Sequence, residues 1–332
     1  MITRPTLAQL EAGIVAGDRA LLARAITLIE STRPADQAAA RELLERVLPR
    51  SGSALRVGIT GVPGVGKSTF IEALGKRLTA QGTKVAVLAV DPSSTRSGGA
   101  ILGDKTRMHE LARDPLAFVR PSPSRGSLGG VARRTREVML LCEAAGYEVV
   151  LVETVGVGQS ETMVAGMVDF FLVLMLANAG DELQGIKRGI LELADMVVIN
   201  KADGELVQAA REARVEYARA LHLMPQKSPS WTPPVLTCSG LRDEGVAEIW
   251  AAIEDYRARM AASGEWQTQR AGQRVDAMWR SIEWGLIEAF RGDPELREHV
   301  AALEQQVRAG TLAPDHAAHE LLERFCPAAG HH

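Results

Sequence analysis

At 332 residues the chain exceeds one typical domain, and its 46% hydrophobic and 24% charged residues describe an ordinary globular balance. A net charge of −3 gives no bulk electrostatic ground for nucleic acid or an anionic membrane as partner. Cys142, Cys238 and Cys326 have no paired spacing, which argues for a reducing compartment and against a cysteine metal site.

The N-terminus has neither the apolar core of a signal peptide nor the acid-free, Arg/Ser-rich character of a transit peptide, so a cytoplasmic location is expected. Residues 1–52 read as a helical extension. Leu22, Ile26 and Ile29 fall on one helical face, Pro34-Ala-Asp36 reads as a break and cap, and Leu43, Leu44 and Val47 fall on another face. Residues 53–245 alternate strands with helices, the pattern of a mostly parallel sheet flanked by helices. Its strands are expected at Leu55–Thr60, Lys84–Val90, Val149–Val152, Phe170–Leu176, Met196–Ile199 and Val235–Leu236. The run Phe170–Leu176 is too short to span a bilayer and reads as a central strand. Residues 246–332 form a C-terminal helical arm, with Ile249, Trp250 and Ile253 on one face and Met278, Ile282, Trp284 and Ile287 in another long segment. Trp266, Trp279 and Trp284 lie in this arm, which has too little mass to bury them all; a packed core and a dimer interface both account for them.

Four segments carry chemistry. Gly61-Val62-Pro63-Gly64-Val65-Gly66-Lys67-Ser68-Thr69 fits G-x-x-x-x-G-K-[ST] between a strand and a helix, the unit whose backbone N–H groups wrap phosphates. Lys67 would reach the β/γ oxygens and the Ser68 hydroxyl would ligate Mg²⁺. At the end of a later strand, Asn200-Lys201-Ala202-Asp203 places a carboxylate where ligands bind in open α/β sheets. Asp203 would accept the guanine N1–H and amine together, a pairing adenine cannot offer. Thr237-Cys-Ser239-Gly240-Leu241 follows another strand, where a backbone N–H can meet the guanine oxygen. Glu153-Thr-Val-Gly156 ends the strand from Val149; Glu153 can hold Mg²⁺ through a water and the Gly156 N–H can reach the γ-phosphate. The residue after Gly156 is Val157 instead of a water-orienting glutamine, so slow intrinsic hydrolysis is expected. Asp91 and Asp104 sit in a Gly/Ser-rich stretch that suits a loop closing over Mg²⁺, with solvated loop aspartates as the alternative. Arg120, Arg125, Arg133, Arg134 and Arg136 could dock an acidic partner or form a solvated face. The ligands implied are GTP/GDP and Mg²⁺ on an α/β P-loop NTPase fold.

G-V-P-G-V-G-K-S-T, D-P-S-S, G-D-K-T-R-M, E-T-V-G-V-G-Q-S-E, A-N-A-G-D-E-L-Q-G-I-K and N-K-A-D, in this order, resemble the MeaB/ArgK-type GTPase chaperones of adenosylcobalamin-dependent methylmalonyl-CoA mutase, also labelled arginine/ornithine transport kinases. The resemblance implies a homodimeric GTPase that binds the mutase, gates adenosylcobalamin transfer from a cobalamin adenosyltransferase, and protects or reactivates the mutase. It implies that Lys67, Asp91, Asp104 and Glu153 serve catalysis, that Ser68 joins the three acids at the metal, and that Asp181, Glu182, Gln184 and Lys187 form a further switch. A plain strand-to-helix connection, with Asp181 as a cap, is the alternative for that loop. A GTPase metallochaperone for another metal enzyme and a transport-associated kinase or ATPase are the competing functions. Neither nucleic acid nor membrane is expected as partner.

Overall fold

The computed structural model describes residues 4–90, 108–120, 128–154, 160–177 and 188–326. The chain divides into two compact units, Met1–Gln273 and Arg274–His332.

The first unit opens with α1 (Leu7–Val15), α2 (Arg19–Glu30) and α3 (Pro34–Val47). Thr6 and Gln9 form a reciprocal capping box that satisfies orphan donors of α1, and the Asp18 carboxylate accepts from Ala20 N and Leu21 N to start α2. Leu22, Ile26, Ile29, Leu43 and Val47 are buried as the helical spacing requires. Asp36 does not cap α3: the N-cap is Arg33, and the buried Asp36 carboxylate instead accepts from Ser31 Oγ and Arg4 Nη2, each at 2.6 Å.

The sheet strands are β1 (Leu55–Gly61), β2 (Val85–Val90), β3 (Ala117–Arg120), β4 (Val149–Thr154), β5 (Phe170–Leu176), β6 (Met196–Asn200) and β7 (Val235–Thr237). They pair in the order β3-β2-β4-β1-β5-β6-β7, and every pairing is parallel. Parallel strands covered on both faces must be apolar on both, which is why β2 reads Val-Ala-Val-Leu-Ala-Val and is buried throughout. One face packs on α4 (Lys67–Ala80) and α10 (Val246–Ser263), with Phe170, Trp231 and Tyr256 stacked edge-on at 4.9–6.5 Å. The other face packs on α6 (Leu128–Ala144), α7 (Ser160–Ala165), α9 (Val207–His222) and the three N-terminal helices. Short α5 (His109–Arg113) and α8 (Arg188–Leu193) complete the unit. A parallel sheet with a strand, glycine turn and helix at β1–α4, and helical extensions at both ends, is the P-loop NTPase fold.

A buried ionic network closes the N-terminal edge of the sheet, opposite the glycine turn. The Asp169 carboxylate takes a bidentate pair from Arg270 (Nε 2.7 Å, Nη2 2.6 Å) and a third bond from Arg56 N at 2.8 Å. Arg270 also donates to the carbonyls of Gly52 and Ala54, and Arg56 Nε reaches Glu143 at 2.5 Å. Arg270 stands on α11 (Glu265–Gly292), so this pair ties the start of that helix to β5.

Three of the arginines between 120 and 136 make intramolecular contacts. Arg120 pairs with Glu30 at 2.5 Å, Arg136 donates to the Gly166 carbonyl at 3.0 Å, and Arg133 meets Glu137 at 3.6 Å. Burial nonetheless pushes the Glu30 carboxyl above its ordinary range, with Arg120 opposing. Arg125 lies outside the described residues.

The second unit holds the rest of α11, then α12 (Pro294–Arg308) and α13 (Pro314–Phe325), with Phe290 and Phe325 edge-to-face at 5.3 Å. Val275, Met278, Trp279, Ile282 and Leu286 form an exposed stripe along α11 at helical spacing. Trp284 lies about half a turn away and is half-buried. No helix among the described residues is long and apolar enough to cross a membrane.

Removing Arg270 should leave Asp169 a buried charge without its bidentate partner. Arg270→Met is expected to cost about 3–5 kcal/mol in urea unfolding, whereas Arg308→Ala, which breaks the solvent-exposed pair with Glu304, should leave the unfolding midpoint unchanged within error.

Candidate functional site

The site lies at the C-terminal edge of the sheet, where β1, β4 and β6 end and the β7 loop begins. Gly61 to Gly66 turn the chain from β1 into α4, and Gly66 adopts φ 98° as the N-cap residue. A Cβ at Gly66 would stand 2.7 Å from Asn200 Nδ2, so both the left-handed backbone and the close approach require glycine. Lys67 is the first residue of α4; its Nζ donates back to the carbonyls of Gly61 at 2.7 Å and Val62 at 3.2 Å, which arches it over the turn. Pro63, Gly64 and Thr69 are exposed around it, while Val65 is buried and pins the turn to the core. The turn and the first N–H groups of α4 thus form a concave donor surface beside a cation, which suits polyphosphate.

Ser68 and Glu153 meet across the sheet edge. The buried Ser68 hydroxyl donates to Glu153 Oε1 at 3.0 Å. A hydroxyl and a carboxylate oxygen at that separation, beside the phosphate turn, match the hard-oxygen donor set of Mg²⁺, so these residues fit that ion. On the other side of β4, the Thr154 hydroxyl donates to the Thr60 hydroxyl at 2.7 Å, both fully buried, which locks the β1 and β4 tips in register.

Asn200 organises the base end. Its Nδ2 donates to the Val65 carbonyl at 2.8 Å, and its Oδ1 accepts from Gly240 N at 3.1 Å and the Cys238 thiol at 3.3 Å. One buried amide therefore fastens the phosphate turn to the β6 and β7 loops. Lys201 takes the left-handed conformation, φ 59°, and Ala202 N donates to the Cys238 carbonyl at 2.9 Å, which fixes the loop that projects Asp203. The Asp203 carboxylate accepts from the buried Ser239 hydroxyl. Gly240 lies flat against α4: a Cβ there would stand 3.0 Å from the Phe70 Cα. Leu241 is 81% exposed, an apolar side chain presented to solvent beside Asp203. Burial pushes the Cys238 thiol up to about 12, so it acts as a neutral donor to Asn200.

The structure brings together Gly61 through Thr69, Glu153, Asn200, Lys201, Asp203, Ser239, Gly240 and Leu241. Asp91, Asp104, Gly156, Asp181, Glu182, Gln184 and Lys187 lie outside the described residues. Sequence reasoning missed the Thr60–Thr154 hydroxyl pair and the thiol contact of Cys238. Strand alternation could have placed the two threonines on one face, but no pattern signals the cysteine.

Residues 22–295 match the family model described as methylmalonyl-CoA mutase-associated GTPase MeaB. A Caulobacter vibrioides protein is 55% identical over 98% of this chain and 99% of its own length. The chain belongs to the MeaB family of GTPases. The mouse methylmalonic aciduria type A homolog, a mitochondrial protein, is 49% identical over 96% of this chain and 79% of its own length. Among solved structures, a LAO/AO transport system kinase superposes with a TM-score of 0.76 at 43% identity, covering 98% of this chain and 99% of that one. Family membership carries nucleotide binding by the phosphate loop and, in general, hydrolysis of the bound nucleotide.

If the Asp203 carboxylate selects the base, Asp203→Asn should exchange guanine preference for xanthine, because an amide can donate to the oxygen xanthine has in place of the guanine amine. GTP affinity should fall by a factor on the order of 10⁴. Competition binding of GTP, XTP and ATP reads this directly, and retained GTP preference would remove Asp203 from the base site.

Proposed function

We propose that this chain is a GTP-hydrolysing chaperone that associates with an adenosylcobalamin-dependent methylmalonyl-CoA mutase in the cytoplasm, gating cofactor loading from an adenosyltransferase and protecting or reactivating the enzyme. The observation that carries the GTP reading is Asn200, which holds the phosphate turn and the Asp203 and Gly240 loops as one nucleotide-shaped surface. Family membership supports the mutase as partner, since the matching family model describes mutase-associated GTPases.

Within this reading Lys67 binds the β/γ oxygens, and Ser68 and Glu153, with Asp91 and Asp104, hold Mg²⁺, which when bound neutralises charge on the transferred phosphoryl group. Asp203 reads guanine and Gly240 offers its neighbourhood's backbone donors to the guanine oxygen. Val157 in place of a water-orienting glutamine makes hydrolysis slow until the partner supplies or positions a polar group. The loop carrying Asp181, Glu182, Gln184 and Lys187 relays nucleotide state to the mutase. The exposed stripe Val275, Met278, Trp279, Ile282 and Leu286 supports a homodimer, because five apolar side chains in one row are costly to leave in water.

Single-turnover GTP hydrolysis with and without methylmalonyl-CoA mutase tests the proposal. The expected result is slow turnover alone and stimulation of about ten- to a thousandfold by the mutase. Glu153→Ala should depress the rate more than GTP affinity, and Lys67→Ala should abolish productive binding. A mutase that neither binds nor changes the rate would refute the assignment. Lys187→Ala should leave GTP affinity nearly intact while reducing the coupling free energy between GTP and mutase binding, read from a thermodynamic cycle.

A further inference from the structure

Helix α4 carries a further charged group that none of the nucleotide contacts above uses. Glu72 lies one turn after Ser68 on α4, so it stands on the same helical face about 6 Å further along the axis. Its Oε1 accepts from Glu110 N at 2.8 Å and Leu111 N at 3.1 Å, free amides in the first turn of α5.

α5 has no cap of its own. Its N-cap residue is Met108, whose side chain makes no capping bond and is buried with Leu111 in the core that α4 also lines. The two helices approach closely: a Cβ on Gly75 would stand 2.5 Å from Leu111 Cδ2, so glycine at this position lets α5 sit directly on α4. Lys76 adds an exposed pair with Glu110, of the kind worth little in water.

Capping from a neighbouring helix is costlier than a local cap. Glu72 Oε2 is shielded from water and has no hydrogen-bond partner among the described residues, a penalty that a serine or aspartate at position 108 would avoid. The distant carboxylate supplies position instead. It holds the start of α5 one helical turn from the Ser68 hydroxyl, which meets Glu153 Oε1 at 3.0 Å. Met108 follows Asp104 by four residues, a length of chain that spans at most about 14 Å. Glu72 therefore fixes, relative to the Ser68–Glu153 pair, the point at which the chain bearing Asp104 enters α5.

We infer that Glu72 is a positioning residue for the metal site: by capping α5 from α4 it sets the reach of Asp104 toward the ion that Ser68 and Glu153 hold. The inference rests on the Mg²⁺ reading above and adds the residue that aligns one of its acids.

Single-turnover GTP hydrolysis by the full-length protein, titrated with Mg²⁺, tests it. Glu72→Ala removes the acceptor, Glu72→Gln keeps a carbonyl oxygen that can serve both amides, and Gly75→Ala pushes α5 off α4 by an independent route. Lys76→Ala breaks only the exposed pair, and Asp104→Asn probes the ligand itself. Thermal melting without nucleotide verifies that each variant is folded at the assay temperature. The expected result is a rise of about five- to tenfold in the Mg²⁺ concentration for half-maximal rate in Glu72→Ala and Gly75→Ala, near the loss seen when a group that orients a metal ligand is removed. Asp104→Asn should show a larger rise, Glu72→Gln and Lys76→Ala should match wild type, and GTP affinity in EDTA should be unchanged throughout. A wild-type midpoint in Glu72→Ala, with Asp104→Asn shifted, would overturn the positioning role and leave Asp104 at the metal; if Glu72→Ala does not fold, Gly75→Ala decides the same question. A wild-type midpoint in Asp104→Asn would remove Asp104 from the metal and the inference with it. A shift in Glu72→Gln equal to that in Glu72→Ala would mean that charge and not the capping bond is sensed, which also overturns it.

Discussion

The site depends on one buried side-chain amide. Asn200 spends its donor on the Val65 carbonyl and its acceptor on Gly240 N and the Cys238 thiol, so three chain segments far apart in sequence share a single polar anchor. Each partner group is shielded from water, and leaving any of them unpaired would carry the full desolvation penalty of about 1–3 kcal/mol. The amide therefore favours the arrangement in which phosphate turn and base loops stand at a fixed separation. The constraint extends to composition: Gly66 has no room for a Cβ against Asn200, and a Cβ at Gly240 would press tightly on the Phe70 backbone.

The sheet supplies the frame for that anchor. With all strands parallel, every strand ends at the same edge, so β1, β4, β6 and β7 deliver the phosphate turn, Glu153, Asn200 and the Ser239–Gly240 loop together. The opposite edge is closed by Asp169 and Arg270, whose bidentate pairing with the added Arg56 N–H satisfies a charge that could not otherwise be buried. The Thr60–Thr154 bond and the β1–β4 ladder hold Glu153 level with Ser68, so the oxygen pair beside the phosphate turn is set by strand register.

What could be read in the sequence was contiguous. The phosphate turn and N-K-A-D are unbroken motifs, each flanked by a strand whose apolar run announces it, and the parallel sheet followed from strands apolar on both faces. The tertiary pairings were not legible. Asn200 meets Val65 across 135 positions and Arg270 meets Asp169 across 101, and neither pattern leaves a local trace. Asp36 looked like a cap because it follows Pro34, yet Arg4 and Ser31 recruit it as an ion-pair partner.

The most direct measurement separates the two halves of the nucleotide. Guanosine and inorganic triphosphate, each offered alone to wild type and to Asn200→Ala, probe the base loops and the phosphate turn independently. If Asn200 anchors both, the alanine variant binds each fragment more weakly than wild type does. Weakened guanosine binding with unchanged triphosphate binding would reduce Asn200 to a base contact and contradict the shared anchor.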